Sequence, residues 1–456
     1  MSRWALVLTA LLATLLTQCA APANEPQREG AFDPLRDSLS RDEPQPIYHP
    51  ERAHPWNRLF HLLFTRTVRT RVLDVDEARL FLAGDPRLAV NGPFVTRIES
   101  GDRAIDPLYS SWIWMGSTEF DVSAEGRWGV LKDPLYARLA ELLEAVPESA
   151  ASQSPLARAL MQADLWATYD LLHATVRAGT GPTAEAVERH ERTGRLLSLL
   201  AHAIRALALS RSEISALPDT YEGARRAHEL PDLFNPKSGW MEIRWFSLRM
   251  HEHAVDSRRA ARVFLKPARR PEDEQAFLNR FKTAHGGHAE PLEAVALLIQ
   301  TLLISRDGSI VPSPITYEVQ IRRFDPGRSN VGARVVQYDL SRQQLLQVPD
   351  SGGFTMLDEE APVYLPIAGN DFSFATRPAQ DAEPLLGPVR QRCQSCHDTN
   401  SERLITFAMT TAPDRPAPAV ERLDPSENRH AREVAERKMR LENWGALQLE
   451  IRRGRR

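Results

Sequence analysis

The residues that point most directly to a chemistry are Cys393, Cys396 and His397, which stand in the order Cys-x-x-Cys-His. Two thiols at this spacing can each add across a vinyl group of haem, and the adjacent imidazole can then ligate the iron. The chain holds 3 Cys and 13 His in 456 residues, so the pattern should arise by chance in roughly one such chain in a thousand. The spacing therefore predicts one covalent haem c, held by Cys393 and Cys396 with His397 as the proximal ligand.

Other uses of the same residues have less support. A tetrahedral zinc site needs about four ligands, and the sequence has no second Cys-x-x-Cys pair. A thioredoxin-like dithiol opens a helix after a strand, whereas the stretch before Cys393 is rich in proline. A plain pair of buried thiols stays open, as does a disulfide between Cys393 and Cys396. An empty motif is therefore kept as an alternative to haem attachment.

The ligand on the other side of the iron decides what the haem can do. A distal Met raises the reduction potential and favours electron transfer, a distal His lowers it, and an open position admits a small ligand or peroxide. Met409 lies nearest to the motif in sequence and is the candidate distal ligand, although a Met often only fills a gap in the core. Further candidates are Met356, His430 and Met439.

The N-terminus indicates export. Arg3 is followed by an apolar run over 4–16, which is too short to span a bilayer comfortably and fits a signal peptide. Cys19 resembles the lipidated cysteine of bacterial lipoproteins, although Gln18 stands where that pattern prefers a small residue. Ordinary cleavage after Ala23 is the alternative. Since haem c is assembled outside the bacterial inner membrane, we expect a periplasmic or outer-membrane-anchored lipoprotein of a Gram-negative bacterium.

Composition and charge narrow the class of protein and its partners. The chain is 42% hydrophobic and 26% charged, which is typical of globular proteins. A formal net charge of -3 gives no indication of a nucleic-acid partner. The expected partners are a redox protein or a small electron donor or acceptor, and a membrane through lipid on Cys19. The basic closing segment, 429–456, is interpreted as a solvated terminus.

The elements that must position the motif divide the chain into five predicted parts. They are a signal peptide (1–23), a Pro-rich tether (24–55), a mainly helical domain (56–305), a β-rich portion (306–377) and the haem c attachment segment with a C-terminal helix (378–456). Helical spacing of apolar residues predicts helices at 56–71, 134–146, 155–178, 183–209, 271–281, 291–303 and 424–441. Alternation predicts strands at 310–311, 317–322, 333–338 and 353–357, after a turn at Asp307–Gly308. The predicted fold is mainly α with a smaller β-containing part (α+β), with the haem segment packed on the large helical domain.

Four short blocks resemble a set of large exported bacterial proteins of no established activity, which carry one Cys-x-x-Cys-His near the C-terminus. The blocks are His54–Leu59, Asp164–Trp166, Leu217–Tyr221 and Val311–Thr316. This resemblance covers most of the mature chain and implies no particular activity. The chain is similar to c-type cytochromes over the five residues of the motif alone, which implies haem attachment but not the fold of a small cytochrome.

Other clusters of polar residues have weaker signals. Zinc or copper would accept the imidazoles of His251, His253, His285 and His288. However, residues two apart on a helix point to nearly opposite sides, so His251 and His253 would diverge. Asp170 and His173 have the spacing of a di-iron pair without a second such pair. His49, His54 and His61 are close in sequence only.

The function expected from the sequence is that of an exported monohaem c-type cytochrome-like protein that transfers electrons in the cell envelope. The first alternative is a haem-dependent oxidoreductase or peroxidase-like enzyme, which needs an open iron position and an acid/base residue beside it. The second alternative is a non-redox envelope lipoprotein whose motif is empty.

Overall fold

Helices and one large antiparallel sheet make up the fold of the protein. The computed structural model describes residues 46–69, 110–114, 131, 134–177, 184–245, 259–283, 292–324, 334–357, 362–365, 385–388 and 420–453. The helices are α1 (Pro55–Phe64), α2 (Leu135–Ala150), α3 (Pro155–Arg177), α4 (Ala184–Ala206), α5 (Arg211–Ser215), α6 (Thr220–His228), α7 (Glu274–Thr283), α8 (Arg342–Gln347), α9 (Arg429–Lys438) and α10 (Glu442–Arg453). The strands are β1 (Thr65–Arg69), β2 (Ser110–Trp114), β3 (Met241–Trp245), β4 (Arg259–Pro267), β5 (Leu292–Ile304), β6 (Ile310–Arg323), β7 (Arg334–Leu340), β8 (Phe354–Leu357), β9 (Pro362–Leu365), β10 (Leu385–Pro388) and β11 (Val420–Leu423). The predicted α+β class is confirmed.

Seven of the strands form one antiparallel sheet in the order β11-β3-β4-β5-β6-β7-β8. The long central strands β5 and β6 are joined by the predicted turn at Asp307–Gly308, where Gly308 has a φ of 84°. Two further pairs, β1 with β2 and β9 with β10, form separate two-stranded ribbons. Since β11 pairs with β3, the chain leaves the sheet at its β8 edge and returns to the edge on the other side.

The helix predicted for 291–303 is wrong, because this stretch forms the central strand β5. Its residues are apolar almost throughout and buried on both faces, and Glu293 alone among them is exposed. Such a run fits a buried strand as well as a buried helix, so apolar spacing does not separate the two. The strand is the observed form because β4 and β6 satisfy its backbone groups from both sides.

The sheet crosses the predicted domain boundaries. The boundary at 305 falls in the turn between β5 and β6, and β11 adds a strand from the predicted haem segment. Residues 46–54 were assigned to the tether but belong to the folded body, since Ile47 and Tyr48 are buried in its core. The prediction of a tether is therefore wrong for this part of the chain.

Most helices were predicted at the right place. α2, α3 and α4 match the predictions at 134–146, 155–178 and 183–209, and α2 continues to Ala150 through Pro147. α1 ends at Phe64, earlier than predicted, because the chain turns into β1. No described helix is long and apolar enough to cross a membrane.

The two faces of the sheet have different neighbours. The helix-covered face carries Phe264, Leu298 and Val319, which share one core with residues of α2 to α6, α9 and α10. The opposite face carries Val263 and Leu265, which pack against Phe277 and Leu278 of α7 beside β3 and β11. The alternation of side chains along each strand produces this division.

Candidate functional site

The described ranges do not include the motif residues, the first candidate distal ligand or the candidate lipidation site: Cys393, Cys396, His397, Met409 and Cys19. The four imidazoles at 251, 253, 285 and 288 lie outside them as well. The described neighbours of the motif are β10, which ends at Pro388, and β11, which begins at Val420. These two strands are the anchors between which the motif segment, 389–419, must run.

The downstream anchor is held at the edge of the sheet. Val420 of β11 pairs with Trp245 of β3. An ion pair joins Arg422 of β11 to Glu274 of α7. Asp424 then accepts a hydrogen bond from the Ser426 backbone N–H at 2.9 Å and caps the short turn before α9. The chain is therefore fixed immediately after the motif segment.

A buried ion pair between the neighbouring strands β3 and β4 strengthens this anchor. Arg262 of β4 donates from Nε and Nη2 to the two carboxylate oxygens of Glu242 at 2.9 and 2.6 Å, and the two side chains are 5% and 1% exposed. Arg262 also donates to the carbonyl of Pro425 at 2.7 Å. Its guanidinium lies 4.7 Å from the ring centroid of Phe234, which shields the charges from water. One side chain thus ties two strands to the turn after β11.

Three candidate distal ligands are described, and they lie on different parts of the body. Met356 is on β8 at one edge of the sheet and is 54% exposed. His430 is buried on α9, against the helix-covered face, and Met439 follows that helix at 37% exposure. Their role as ligands stays a prediction.

Asp170, which had the spacing of a di-iron ligand with His173, docks the C-terminal helices on α3. Its carboxylate accepts from Lys438 Nζ and from Asn443 Nδ2, each at 2.8 Å. Lys438 is 2% exposed, and its ammonium group lies 4.9 Å from the ring centroid of Trp166. Within the described ranges, no group of three or more His, Cys, Asp and Glu side chains could hold a metal ion.

Two of the N-terminal histidines close the turn before α1. The rings of His49 and His54 stack with centroids 4.2 Å apart. Nδ1 of His49 accepts from the Glu51 backbone N–H at 3.1 Å, and Nδ1 of His54 accepts from the Trp56 backbone N–H at 3.2 Å. Burial and the neighbouring His49 lower the pKa of His54, which Glu51 partly opposes. Through these hydrogen bonds, the two histidine rings stabilise the turn before α1.

A deeply buried polar cluster that the sequence did not predict lies between α3 and α8. Arg342 donates from Nε and Nη2 to the two carboxylate oxygens of Asp164 at 3.0 and 2.5 Å, and their side chains are 8% and 0% exposed. The Tyr48 hydroxyl donates to Asp164 at 2.6 Å, and Arg342 Nη1 donates to the Tyr317 hydroxyl at 3.1 Å. Burial, then the charge of Asp164, raises the pKa of Tyr48 well above its usual value. Tyr48 therefore stays protonated as a donor.

The four blocks of the sequence resemblance meet around this cluster. Asn57 from the first block accepts from the Tyr48 backbone N–H at 2.7 Å, and Asp164 belongs to the second block. The third and fourth blocks join at Thr220, whose hydroxyl accepts from the Thr316 N–H at 2.7 Å and donates to its carbonyl at 3.0 Å. Because these buried groups satisfy one another, the blocks form a structural framework.

A second polar group lies on the opposite face of the sheet, and we call it the polar row: Glu318, Gln320 and Arg322 of β6 with Gln337 and Asp339 of β7. Gln320 Nε2 donates to Glu318 at 2.5 Å and to Gln337 at 3.4 Å, and Gln337 Nε2 donates to Asp339 at 2.8 Å. Gln337 is 0% exposed, and the three members on β6 are 7 to 9% exposed. The alternation of polar and apolar residues along β6 could have predicted that these polar side chains share one face of the sheet. It could not have predicted that this face is buried.

Comparisons with known proteins add no relative: no family model, no curated protein and no solved structure matches this chain.

Proposed function

We propose that this protein is an exported monohaem c-type cytochrome-like protein that transfers electrons in the bacterial cell envelope. The observation that carries the proposal is Cys393-x-x-Cys396-His397, in a chain whose other cysteine, Cys19, follows a signal-peptide pattern. Two thiols and one imidazole are a donor set that suits haem c. Each thiol adds its sulfur and its hydrogen across one vinyl double bond, so attachment consumes no oxidant. His397 would hold the iron of the bound haem, which would supply a one-electron couple.

The anchors around the motif segment support this proposal. A redox centre works best where its surroundings change little between the two oxidation states, and this requires rigid elements beside it. β11 is held by pairing with β3, by the Arg422–Glu274 ion pair and by the Arg262 contact to Pro425. The chain after the motif is thus fixed on a body with a large core.

The test is a pyridine haemochrome spectrum of the protein from a host that matures haem c, beside a Cys393→Ala/Cys396→Ala variant. We expect a covalent haem band in the wild type and its loss in the variant, while both are exported and have the same far-ultraviolet circular dichroism. A colourless, folded and exported wild type would remove the redox function and leave the empty-motif alternative. Carbon monoxide binding to the reduced protein would favour the peroxidase-like alternative over electron transfer.

The proposed location is the periplasmic side of the envelope, with the chain held there through lipid on Cys19. Membrane fractionation of wild type and Cys19→Ser tests it. We expect the wild type in the membrane fraction, and the variant outside it. A wild type that is soluble after export would instead indicate ordinary cleavage after Ala23.

A further inference from the structure

The two C-terminal helices, α9 and α10, are held firmly on the body. Lys438 at the end of α9 and Asn443 in the first turn of α10 both donate to the carboxylate of Asp170 on α3, each at 2.8 Å. The inward side of α10 is buried in the main core through residues such as Trp444 and Ile451. The basic closing segment, as far as the structure describes it, therefore forms a fixed surface of the body rather than a solvated terminus.

The outward side of α10, with the residue before it, carries a stripe of exposed positions: Leu441, Gly445, Leu449 and Arg452. Successive members of the stripe are three or four residues apart, so they follow one another along one side of the helix. Leu441 and Leu449 are 45% and 50% exposed. A Cβ atom added to Gly445 would have no atom within 4 Å beyond its own helix and chain neighbours. The middle of the stripe is therefore open.

Exposed large apolar side chains concentrate at this place. Three of the seven that the described residues contain lie within eleven residues: Met439, Leu441 and Leu449. The other four lie singly, on α2, on α4, after α8 and on β8: Leu135, Val187, Val348 and Met356. Single exposed apolar residues are common on folded proteins, whereas a group of them marks an interaction surface.

Positive charge accompanies these apolar side chains. Arg440 lies in the turn between the two helices, and Arg452 lies one helical turn after Leu449. Both are exposed, and neither guanidinium is in an ion pair or a hydrogen bond with another described residue. Residues 429–453 contain seven Arg and Lys but four Glu, in a chain whose formal net charge is -3. The surface is thus both apolar and locally basic.

We propose that this surface docks on the anionic headgroups of a lipid bilayer. A helix that lies flat on a bilayer places apolar side chains at the boundary with the acyl chains and Arg side chains among the headgroups. The choice of lipid over an acidic protein rests on the proposed function, which places the body beside a membrane. Contact through one such surface is weak and depends on salt, so it adds to lipid on Cys19 and does not replace it.

Vesicle binding tests the docking surface. The Cys19→Ser protein, recovered from the periplasmic fraction, is sedimented with phosphatidylcholine vesicles that either contain or lack phosphatidylglycerol. We expect binding to the anionic vesicles alone, and its loss at high salt. Leu449→Glu should weaken this binding by at least about tenfold, because it removes an apolar contact and adds a negative charge. Arg452→Gln should weaken it about fivefold.

Two matched variants elsewhere on the surface are the controls. Val187→Glu makes the same kind of change on α4, at a side chain that is 56% exposed. Arg269→Gln removes an exposed Arg after β4. Both should bind as the unchanged protein does. Equal binding of Leu449→Glu and Val187→Glu, or no preference of the unchanged protein for anionic vesicles, would overturn the proposal.

Photo-crosslinking in the cell envelope identifies what the surface contacts. p-Benzoylphenylalanine replaces Leu449 in one exported protein and Val187 in another. After irradiation and trypsin digestion, we expect a phospholipid adduct on peptide 441–452 of the first and none on peptide 178–189 of the second. A protein cross-linked at position 449 without a lipid adduct would overturn the proposal in favour of an acidic protein partner, and the absence of any adduct there would overturn it as well.

The haem and the docking surface can fail separately in these experiments. No residue of the Cys-x-x-Cys-His motif takes part in the vesicle contact. A colourless protein that binds anionic vesicles would therefore count against the redox function and leave the docking surface in place. A protein with covalent haem that neither binds these vesicles nor gives lipid adducts would keep the redox function and remove the docking surface.

Discussion

Some of the buried charges among the described residues occur in pairs whose members hydrogen-bond to each other. Three pairs share this property: Arg342 with Asp164, Arg262 with Glu242, and Lys438 with Asp170. Two of them, Arg342 with Asp164 and Lys438 with Asp170, join elements that are distant in sequence. Replacing one member leaves the other charge buried without its partner, which costs more than the pair itself contributes.

The first prediction concerns Arg342→Met. Because this variant leaves Asp164, which is 0% exposed, without its cation, we expect the free energy of unfolding to fall by about 3–5 kcal/mol. Urea unfolding followed by circular dichroism measures the change. The control is Arg195→Met, whose ion pair with Glu144 is exposed on both sides (60% and 53%) and should not alter stability measurably. Equal losses in both variants would mean that burial does not determine the effect.

The second prediction concerns pH and His54. The pKa of His54 is lowered from its usual value of 6.5 in the folded state, first by burial and then by His49. The unfolded chain therefore binds a proton at a higher pH than the folded chain does. The stability contributed by neutral His54 is complete above about pH 6.5 and is lost as the pH falls below it. Protonation would also remove the acceptor for the Trp56 backbone N–H.

Urea titrations between pH 7.5 and pH 5 measure this dependence. We expect His54→Asn, which can keep an acceptor at the same place, to reduce the loss of stability in that window. His190→Asn, at an exposed position of α4, should leave the dependence as it is in the wild type. A wild-type stability that does not change across the window would contradict the prediction.

At the scale of elements, close contact between two backbones fixes α6 on the turn at 349–351. A Cβ atom added to Gly223 would lie 2.5 Å from the backbone nitrogen of Gly352 and 2.9 Å from the carbonyl of Asp350. We expect Gly223→Ala to lower the free energy of unfolding by about 1–3 kcal/mol, because the backbones must move apart. Gly194→Ala is the matched helix control: no atom lies within 4 Å of the added carbon, and stability should rise by about 0.5–1 kcal/mol. Thermal unfolding of both variants measures the two changes in stability. Changes of the same sign would refute the argument.

The elements of the fold differ in how far the sequence alone could predict them. α3 was predictable because a first-turn proline and apolar residues at helical spacing are local signals. β5 was not, because its apolar run has no period and its form depends on β4 and β6. The motif at 393–397 is also a local signal, so the sequence alone is enough to propose a chemistry for it. The Asp164–Arg342 pair could not, because its members are 178 residues apart and nothing near Arg342 in sequence indicates burial.

At the scale of the whole molecule, α3 connects the two ends of the described body. Tyr48 from the N-terminal side reaches Asp164, and Lys438 from the C-terminal side reaches Asp170. Both contacts are to one helix within six residues along the chain. Residues 46–54, which precede α1, are therefore part of the fold.

Two truncations test where the folded body begins. A chain that starts at Pro46 keeps Ile47 and Tyr48, which are 8% and 6% exposed, whereas a chain that starts at Arg52 loses both. Burial of two such side chains contributes about 1.5–3 kcal/mol each, and loss of Tyr48 also removes a donor from Asp164. We expect the first truncation to unfold at the same urea concentration as the full-length chain, and the second to unfold at a clearly lower one. If both unfold together with the full-length chain, residues 46–51 do not stabilise the body, and their contacts with Asp164 and Asn57 are dispensable for the fold.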